Sequence, residues 1–357
     1  MAILDLRDML AAVIKPVAET LPAQPILKSS FVWKQIAEPV EPFLLAVAEC
    51  LEGQVGEFEP EIAEFARYAI AARGKQLRPI LVSLSGSATG AVSEQHVRVA
   101  AIIEMVHLAT LVHDDIMDGA ELRRGRPTLS AHWGNEISVL LGDCLFAHAV
   151  KMAAVFTTPE ICRAVATSTN TVCSGEILQT QQRHNFRLPR PEYFRILSMK
   201  TAELFALACD LGAFLTNTTP ECRDALRHYG MSLGTAYQIY DDCLDLFGLE
   251  SAAGKSLGTD LAKGKLTLPI FHIFDRATAT ERGHLQDLIK NWQPGHLPEI
   301  LEMAERYQSL AESRRVIHQY LGAARLTLQG IPTGDGRNGL ASLTDYLSEQ
   351  TDQLDEA

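Results

Sequence analysis

The stretch IIEMVHLATLVHDDIMDG, Ile102–Gly119, joins an apolar helical repeat to a group of aspartates. Its apolar residues recur at intervals of three and four, which is the spacing of one face of an α-helix. Similar repeats follow in ISVLLGDCL, residues 137–145, and LFALACDL, residues 204–211, whereas alternating, strand-like runs are scarce. We therefore predict an all-α fold, a helical bundle whose sites are built from side chains that project between helices.

Prolines divide these repeats into separate helices, because proline stops a helix or occupies its first turn. They occur at Pro127, Pro159, Pro189, Pro191 and Pro220. We predict that residues 1–30 form an N-terminal amphipathic arm that ends at the turn LPAQP, and that residues 31–357 form a single all-helical domain. We expect the arm to pack on the main body or on a partner subunit rather than on a membrane surface.

The composition limits the class of protein. The chain has 357 residues, 47% of them hydrophobic, and a formal net charge of −12, which argues against binding nucleic acid through a broadly basic surface. Its seven cysteines form no CxxC pair, and this favours reduced core thiols over disulfides or zinc. With no signal peptide and no apolar run near the ~20 residues of a membrane span, we predict a cytoplasmic protein with no integral membrane segment.

Two acidic clusters carry the strongest chemical signal. The aspartates of each cluster are spaced so that the first and last lie one turn apart on one helix face, where like charges repel. Each cluster also precedes a glycine, Gly119 or Gly248, that can end the helix, so its carboxylates lie at the disfavoured negative end of the helix dipole. The clusters are Asp114, Asp115 and Asp118 in the first motif, and Asp241, Asp242 and Asp245 in the second.

A cation that offsets this repulsion explains both clusters. Carboxylate oxygens without histidine or cysteine point to a hard ion, and Mg²⁺ prefers a few carboxylates together with water and phosphate oxygens. A single acidic cluster could simply be a solvated face of a helix. Two such clusters, each in an otherwise apolar helix, argue against that explanation. An EF-hand is excluded because Ile116 and Gly125 stand where that loop needs ligands.

Basic residues accompany the acidic clusters. Arginine binds phosphate through a planar fork and lysine acts as a point charge, so the mixture fits diphosphate held by metal on one side and by protein cations on the other. Any one of these residues alone would more often be a surface charge. They are Arg123, Arg124 and Arg126 after the first cluster, Lys75 and Arg78 in GKQLRP, Lys200 in KTAELF, and Lys255, Lys263 and Lys265 in GKSLGTDLAKGK.

Taken together and in this order, the motifs resemble the trans-isoprenyl diphosphate synthases, also called polyprenyl synthetases. The matching segments lie between about residues 43 and 270 and are GKQLRP, EMVHLATLVHDDIMD, RRGRPT, GNEISVLLGD, KTAELF, YQIYDDCLD and GKSLGTDLAKGKLTLP. The resemblance implies an isoprenoid-synthase-type bundle around a deep central cavity, assembled as a homodimer. It also implies a prenyltransferase that joins isopentenyl diphosphate head to tail to an allylic diphosphate.

The resemblance also implies a role for each motif residue. Isopentenyl diphosphate would be bound by Lys75, Arg78, His107 and Arg124. The allylic diphosphate would contact Arg123, Lys200, Thr201, Gln238, Lys255 and Lys265. Asp114, Asp118 and Asp241 would hold the Mg²⁺ ions, about three per site, with Asp115, Asp242 and Asp245 in support. Asp114, Asp118, Arg123, Lys200 and Asp241 are the residues expected to act in catalysis.

The residue five positions before the first acidic motif bears on product length. In the family, a large aromatic residue there closes the cavity, but here it is Ala109, followed by Thr110. A methyl group cannot form that floor, so we expect a product of about C30 to C50 grown from farnesyl or geranylgeranyl diphosphate. Met105, one turn deeper, could stop growth sooner. Because such products are strongly hydrophobic, we expect transient membrane association during product release.

Several alternatives stay open at this point. The chain could be a shorter-chain farnesyl or geranylgeranyl diphosphate synthase. It could be a non-catalytic regulatory subunit of a heteromeric synthase, although such subunits usually lose acidic motifs and both are intact here. A terpene cyclase or a head-to-head, squalene-type synthase is disfavoured by GKQLRP, the segment expected to bind isopentenyl diphosphate.

Overall fold

The computed structural model describes residues 31–71, 74–248 and 257–356, and α-helices dominate its secondary structure. The predicted arm, residues 1–30, lies outside the described residues, so its separation from residues 31–357 stays a prediction. The helices are α1 Phe31–Val55, α2 Pro60–Ala71, α3 Leu77–Thr89, α4 Glu94–Asp118, α5 Leu129–Trp133, α6 Asn135–Ala154, α7 Pro159–Gln181, α8 Arg190–Leu197, α9 Glu203–Phe214, α10 Pro220–Phe247, α11 Thr259–Ala262, α12 Leu268–Arg276, α13 Ala279–Lys290, α14 Leu297–Arg306, α15 Ser309–Thr327 and α16 Asp335–Asp352. The prediction of an all-α fold is confirmed.

Short 3₁₀ turns at Pro294–His296, Leu328–Gly330 and Gln353–Glu356 adjoin the later helices. A two-stranded hairpin adds the only sheet among the described residues. Strand β1, Leu122–Arg123, pairs antiparallel with β2, Arg126–Pro127. The turn between them has positive φ at both Arg124 and Gly125, which matches the twist of a tight hairpin.

The two acidic helices end where the sequence predicts. Helix α4 stops at Asp118, and Gly119 follows in the left-handed conformation with φ 60°. Helix α10 stops at Phe247, before Gly248. Proline starts α7 and α10, at Pro159 and Pro220, and Pro191 lies in the first turn of α8, so the predicted helix boundaries there are confirmed as well.

Helix α9 occupies the centre of the bundle. Residues Glu203–Ala213 are all buried, and the helix packs closely on α10, α3 and α4. Glycines allow the backbones to approach: a Cβ at Gly230 would lie 2.5 Å from the carbonyl oxygen of Phe205, and one at Gly212 would lie 2.6 Å from that of Val82. A larger residue at either position would push the helices apart.

A π-helical turn, Ser198–Ala202, joins α8 to α9 without a break in the chain direction. Such turns are rare and occur mostly at functional sites, because the extra residue shifts the side chains around the helix axis. This turn contains Lys200 and Thr201, both predicted to bind substrate. Gly175 of α7 permits its approach, since a Cβ there would lie 2.8 Å from the Lys200 backbone nitrogen.

Helix α6 carries apolar side chains on both its packed side and its exposed side. One face packs on α4, but Val139, Leu140 and Val150 remain exposed, Leu140 to 61%. Among the described residues it is the one helix long and apolar enough to cross a bilayer, with a mean hydropathy of 1.5. Length and composition alone satisfy this test, and core helices that do not cross a membrane also pass it. The absence of an integral membrane segment therefore stays a prediction.

All seven cysteines are free thiols, as the sequence predicts.

Candidate active site

The first acidic cluster lies at the C-terminal end of α4, beside the hairpin and the segment that follows α10. Asp115 is buried and accepts a hydrogen bond from Nε of Arg123 at 2.7 Å. Burial raises the pKa of Asp115, although Arg123 opposes that shift. Asp118 lies 2.9 Å from the ammonium of Lys263 and 3.5 Å from that of Lys265.

Asp118 and Asp114 differ in their electrostatic surroundings. Burial would raise the pKa of Asp118, but Lys265 and Lys263 outweigh it and hold the pKa below its ordinary value. Asp114 has the opposite balance: burial and the neighbouring carboxylate of Glu176 raise its pKa to about 7. Protein cations therefore offset the negative charge of Asp118, whereas they do not offset that of Asp114.

Lys200 projects from the π-helical turn toward the first cluster. Its Nζ lies 3.1 Å from Glu176 and donates a hydrogen bond to Gln179 at 2.7 Å. Burial alone would lower its pKa, but Glu176, Asp114 and Asp260 raise it above the ordinary value, so Lys200 stays a full positive charge. The side chain is only 14% exposed.

The second cluster is tied to the rest of the site through hydrogen bonds. Thr201 donates to Gln238 at 2.7 Å, and the amide of Gln238 donates to Asp242 at 2.9 Å. The hydroxyl of Tyr193 donates to the other oxygen of Asp242 at 2.7 Å. Burial and then Asp260 raise the pKa of Asp242 to about 7, although both donors oppose the rise.

Asp245 holds the segment that carries the lysines. Its two carboxylate oxygens accept from the Thr259 hydroxyl at 2.5 Å and the Asp260 backbone N–H at 3.0 Å. These contacts cap the start of α11 and place Asp260, Lys263 and Lys265 between the two acidic clusters. Asp241 is partly exposed. Lys255, predicted to contact the allylic diphosphate, lies outside the described residues.

A separate group of cations surrounds His107, two turns before Asp114 on α4. Burial lowers the pKa of His107 well below its ordinary value, and the guanidiniums of Arg78, Arg124 and Arg123 lower it further, so the imidazole is neutral. The buried carboxyl of Glu104 faces Arg78 and Arg124, which oppose the rise that burial gives its pKa. This pocket concentrates positive charge around one internal acid.

Arg78 is the most enclosed member of this cation group. Its guanidinium lies 5.0 Å from the ring centroid of Phe205, and within the described part of the chain its buried Nε has no hydrogen-bond partner. Burial lowers the pKa of Arg78, with Glu104 opposing. An unsatisfied buried donor beside further arginines is the condition that an anionic ligand would relieve. Lys75 is exposed and donates a hydrogen bond to the Tyr346 hydroxyl at 2.9 Å.

The carboxylates do not form a closed metal cage. Among residues 31–71, 74–248 and 257–356, no three acidic, histidine or cysteine side chains converge closely enough to hold an ion by themselves. This arrangement fits Mg²⁺, which is usually held by one or two carboxylates and completes its shell with water and phosphate oxygens. The raised pKa values of Asp114 and Asp242 fit it too, since both carboxylates lack sufficient counter-charge.

The residues expected to set product length are closely packed. Ala109 and Met105 are fully buried at 0% exposure, whereas Thr110 is partly exposed and donates a hydrogen bond to the His107 carbonyl. The expected central cavity is therefore closed at Ala109 and Met105 in this structure. A growing chain can reach Ala109 only if neighbouring side chains move.

Several site residues were missed by the sequence analysis. Glu176 and Glu104 are single acids in helical sequence, with no motif spacing to mark them. Asp260 and Lys263 lie in the segment GKSLGTDLAKGK. The sequence analysis assigned no role to Asp260 and no ligand contact to Lys263. His113 of α4 donates a hydrogen bond from Nε2 to the Val139 carbonyl at 3.0 Å and so packs against α6.

Comparison with known proteins places the chain in one family. Residues 59–304 match the family model "Polyprenyl synthetase". The chain is 33% identical to octaprenyl diphosphate synthase of Escherichia coli over 82% of this chain and 90% of that one. It is also 33% identical to heptaprenyl diphosphate synthase component 2 of Bacillus subtilis, over 84% of this chain and 86% of that one. A short chain isoprenyl diphosphate synthase of Methanothermobacter thermautotrophicus is 32% identical, over 85% and 94%.

Solved structures show the same fold. A decaprenyl diphosphate synthase from Rhodobacter capsulatus superposes with a TM-score of 0.84 at 32% identity, covering 89% of this chain and 99% of that one. A polyprenyl synthase from Caulobacter crescentus, complexed with calcium and isoprenyl diphosphate, gives 0.84 at 31% identity and covers 90% and 99%.

Proposed function

The chain belongs to the polyprenyl synthetase family, and from that membership we propose that it extends an allylic diphosphate with isopentenyl diphosphate units, in Mg²⁺-dependent head-to-tail steps, to an all-trans product of about C30 to C50. It is a prenyltransferase. The observation that supports this proposal best is the division of the charged side chains into two parts, the carboxylate and lysine group around Asp114 and the arginine group around His107.

The two parts suit two different diphosphates. Asp114, Asp118 and Asp241 would hold Mg²⁺, which would supply positive charge to offset the negative charge that grows on a leaving diphosphate. Lys200 and Lys265 would bind that same diphosphate directly and add fixed positive charge as the allylic C–O bond breaks. Because Lys200 is nearly buried and its pKa is raised, it offers this charge at any physiological pH.

Isopentenyl diphosphate would bind in the arginine group. Arg78 and Arg124 would supply forked donors, Lys75 would add a point charge, and neutral His107 would donate one N–H without adding to the local positive charge. The double bond of isopentenyl diphosphate attacks the allylic cation, and a new C–C bond forms as one proton is lost. No protein nucleophile is needed, and the departing diphosphate can accept the proton.

Purified protein incubated with farnesyl diphosphate, isopentenyl diphosphate and Mg²⁺ tests the reaction and the product length together. We expect products of about C30 to C50, because the chain has no large aromatic residue at position 109. A product that ends at C15 or C20 would contradict this length and favour the shorter-chain alternative. A well-folded chain that is inert alone would favour dependence on a second subunit, which the name of the Bacillus subtilis relative, component 2, suggests for that protein.

Ala109→Phe should shorten the product while turnover continues, since a ring at this point blocks the path of a growing chain. The site is fully buried, so Ala109→Val is the companion variant, with a smaller shift expected. Chain-length analysis of the extracted products checks both. Melting temperatures identify any variant that has simply lost its fold. A folded, active Ala109→Phe protein with an unchanged product distribution would show that Ala109 does not line the path.

We further propose that the chain forms a homodimer through α6. Val139 and Val150, eleven residues apart, lie on the same side of this helix, and Leu140 lies beside Val139. Three exposed large apolar side chains on one helix favour a protein partner over open solvent. Leu140→Asp is expected to convert the dimer to monomer at micromolar concentration, as measured by light scattering after gel filtration.

The control for this dimer prediction is Leu326→Asp. Leu326 is exposed to 64%, like Leu140 at 61%, but it lies on α15 rather than on α6. The control variant should remain a dimer. Dissociation by both variants, or by neither, would count against α6 as the dimer surface.

A further inference from the structure

Lys75 is held by a side chain from the far end of the sequence. It lies in the short non-helical segment before α3, is itself exposed, and donates to the hydroxyl of Tyr346 in α16, 271 residues away. We propose that Tyr346 is a positioning residue for isopentenyl diphosphate: it orients the Lys75 ammonium toward the arginine group before the ligand binds. This inference rests on the proposed function, which assigns Lys75 to that ligand.

Tyr346 contacts the lysine through its hydroxyl, which accepts the hydrogen bond at 2.9 Å. The ammonium lies 5.3 Å from the ring centroid, beyond the hydroxyl-bearing edge of the ring rather than over its face. This hydrogen bond fixes the end of a side chain that has four rotatable bonds and would otherwise sample many positions in water.

Tyr346 is itself fixed in place. Its ring packs against Trp33 of α1 at 5.0 Å between centroids, with the planes tilted by 47°. Helix α16 also packs on both α1 and α3, so the tyrosine approaches Lys75 from a rigid element. The position of the lysine is therefore set by the bundle rather than by its own segment.

The same apolar cleft supports Arg78. Leu77, Phe205, Tyr237 and Tyr346 line it together with Leu81, Leu233, Leu343 and Leu347. The ring of Phe205 lies 5.0 Å from the Arg78 guanidinium, and the hydroxyl of Tyr346 binds the Lys75 ammonium. Two aromatic residues of one cleft therefore each hold one of the cations assigned to isopentenyl diphosphate. Such preorganisation strengthens binding because less conformational entropy is lost when the ligand arrives.

A double-mutant cycle tests the inference. The dissociation constant of isopentenyl diphosphate is measured by calorimetry without an allylic substrate, so that no turnover occurs. Tyr346→Phe and Tyr346→Leu both remove the hydroxyl, so each should weaken binding about threefold. In a Lys75→Met background, both tyrosine changes should alter the constant by less than about 1.5-fold, because their effect acts through Lys75.

Steady-state kinetics supply a second readout. In Tyr346→Phe we expect the KM for isopentenyl diphosphate to rise while kcat and the KM for farnesyl diphosphate stay within about twofold of the unchanged protein. Tyr320→Phe is the matched control, since Tyr320 lies on α15 and packs on Phe194. It should leave every constant unchanged.

The possible failures can be told apart. An unchanged affinity in Tyr346→Phe and Tyr346→Leu, or an equal loss with and without Lys75, would overturn the inference about Tyr346. An unchanged affinity in Lys75→Met alone would instead contradict the assignment of Lys75 in the proposed function. Because Tyr346→Phe keeps the ring and its packing on Trp33, a folding defect in Tyr346→Leu would leave the test intact.

Discussion

Asp114→Asn is expected to lower kcat by about 10³-fold, because in the proposed function the Asp114 carboxylate would help to hold the Mg²⁺ that offsets the charge of the leaving diphosphate. An amide keeps the shape but supplies one neutral oxygen donor in place of a charge. Initial rates with farnesyl and isopentenyl diphosphates over a range of Mg²⁺ concentrations measure the loss. Raising the Mg²⁺ concentration should not restore the rate. Asp224→Asn, an exposed aspartate of α10, should keep full activity.

Although Asp114→Asn should lower activity, it should not lower the stability of the metal-free protein at pH 8. The pKa of Asp114 is about 7 in the fold and 3.8 in its ordinary state. Between about pH 4 and pH 7 the folded protein therefore binds more protons at this group than the unfolded protein, so the free energy of unfolding falls as pH rises through that window. Asp114→Asn removes this contribution.

Metal-free protein in a chelating buffer provides the measurement. From pH 5 to pH 8, the melting temperature of Asp114→Asn should fall less than that of the unchanged protein. At pH 8 the variant should be at least as stable. Equal pH dependence in the two proteins would show that Asp114 does not carry uncompensated charge, and near-normal kcat would remove it from the metal site.

Lys200→Met is expected to reduce kcat by about 10²- to 10³-fold, since it deletes a fixed, nearly buried cation that the proposed function assigns to the leaving diphosphate. It should also cost about 3 kcal/mol of folding free energy, because Glu176 is then left partly buried beside Asp114 without its cation. Rates and chemical denaturation measure the two effects separately.

A second substitution separates them. Lys200→Met combined with Glu176→Gln removes both charges of the pair, so most of the lost stability should return while activity does not. The surface pair of Lys151 and Glu57, whose side chains are 61% and 57% exposed, gives the comparison. Lys151→Met should change stability by less than about 1 kcal/mol. Recovery of activity in the double variant would mean that Lys200 serves only to neutralise Glu176.

The sequence by itself determined the helical class, the helix ends at Gly119 and Gly248, and the two acidic clusters. These features depend on local rules: apolar spacing, the repulsion of aspartates one turn apart and, at Gly119, the left-handed backbone that glycine readily adopts. The motifs in their order also indicated the family, which the comparisons confirm over residues 59–304.

Only the tertiary structure showed how charge is balanced within the site. Glu176 pairs with Lys200 from another helix, and Lys263 faces Asp118 across a gap of more than a hundred residues. Tyr346 reaches Lys75 across 271 residues. Periodicity shows which face of a helix is apolar, but the approach of distant segments depends on how all the helices pack together. Short-range spacing therefore predicted which carboxylates repel one another, and packing decided which cations and hydrogen-bond donors offset them.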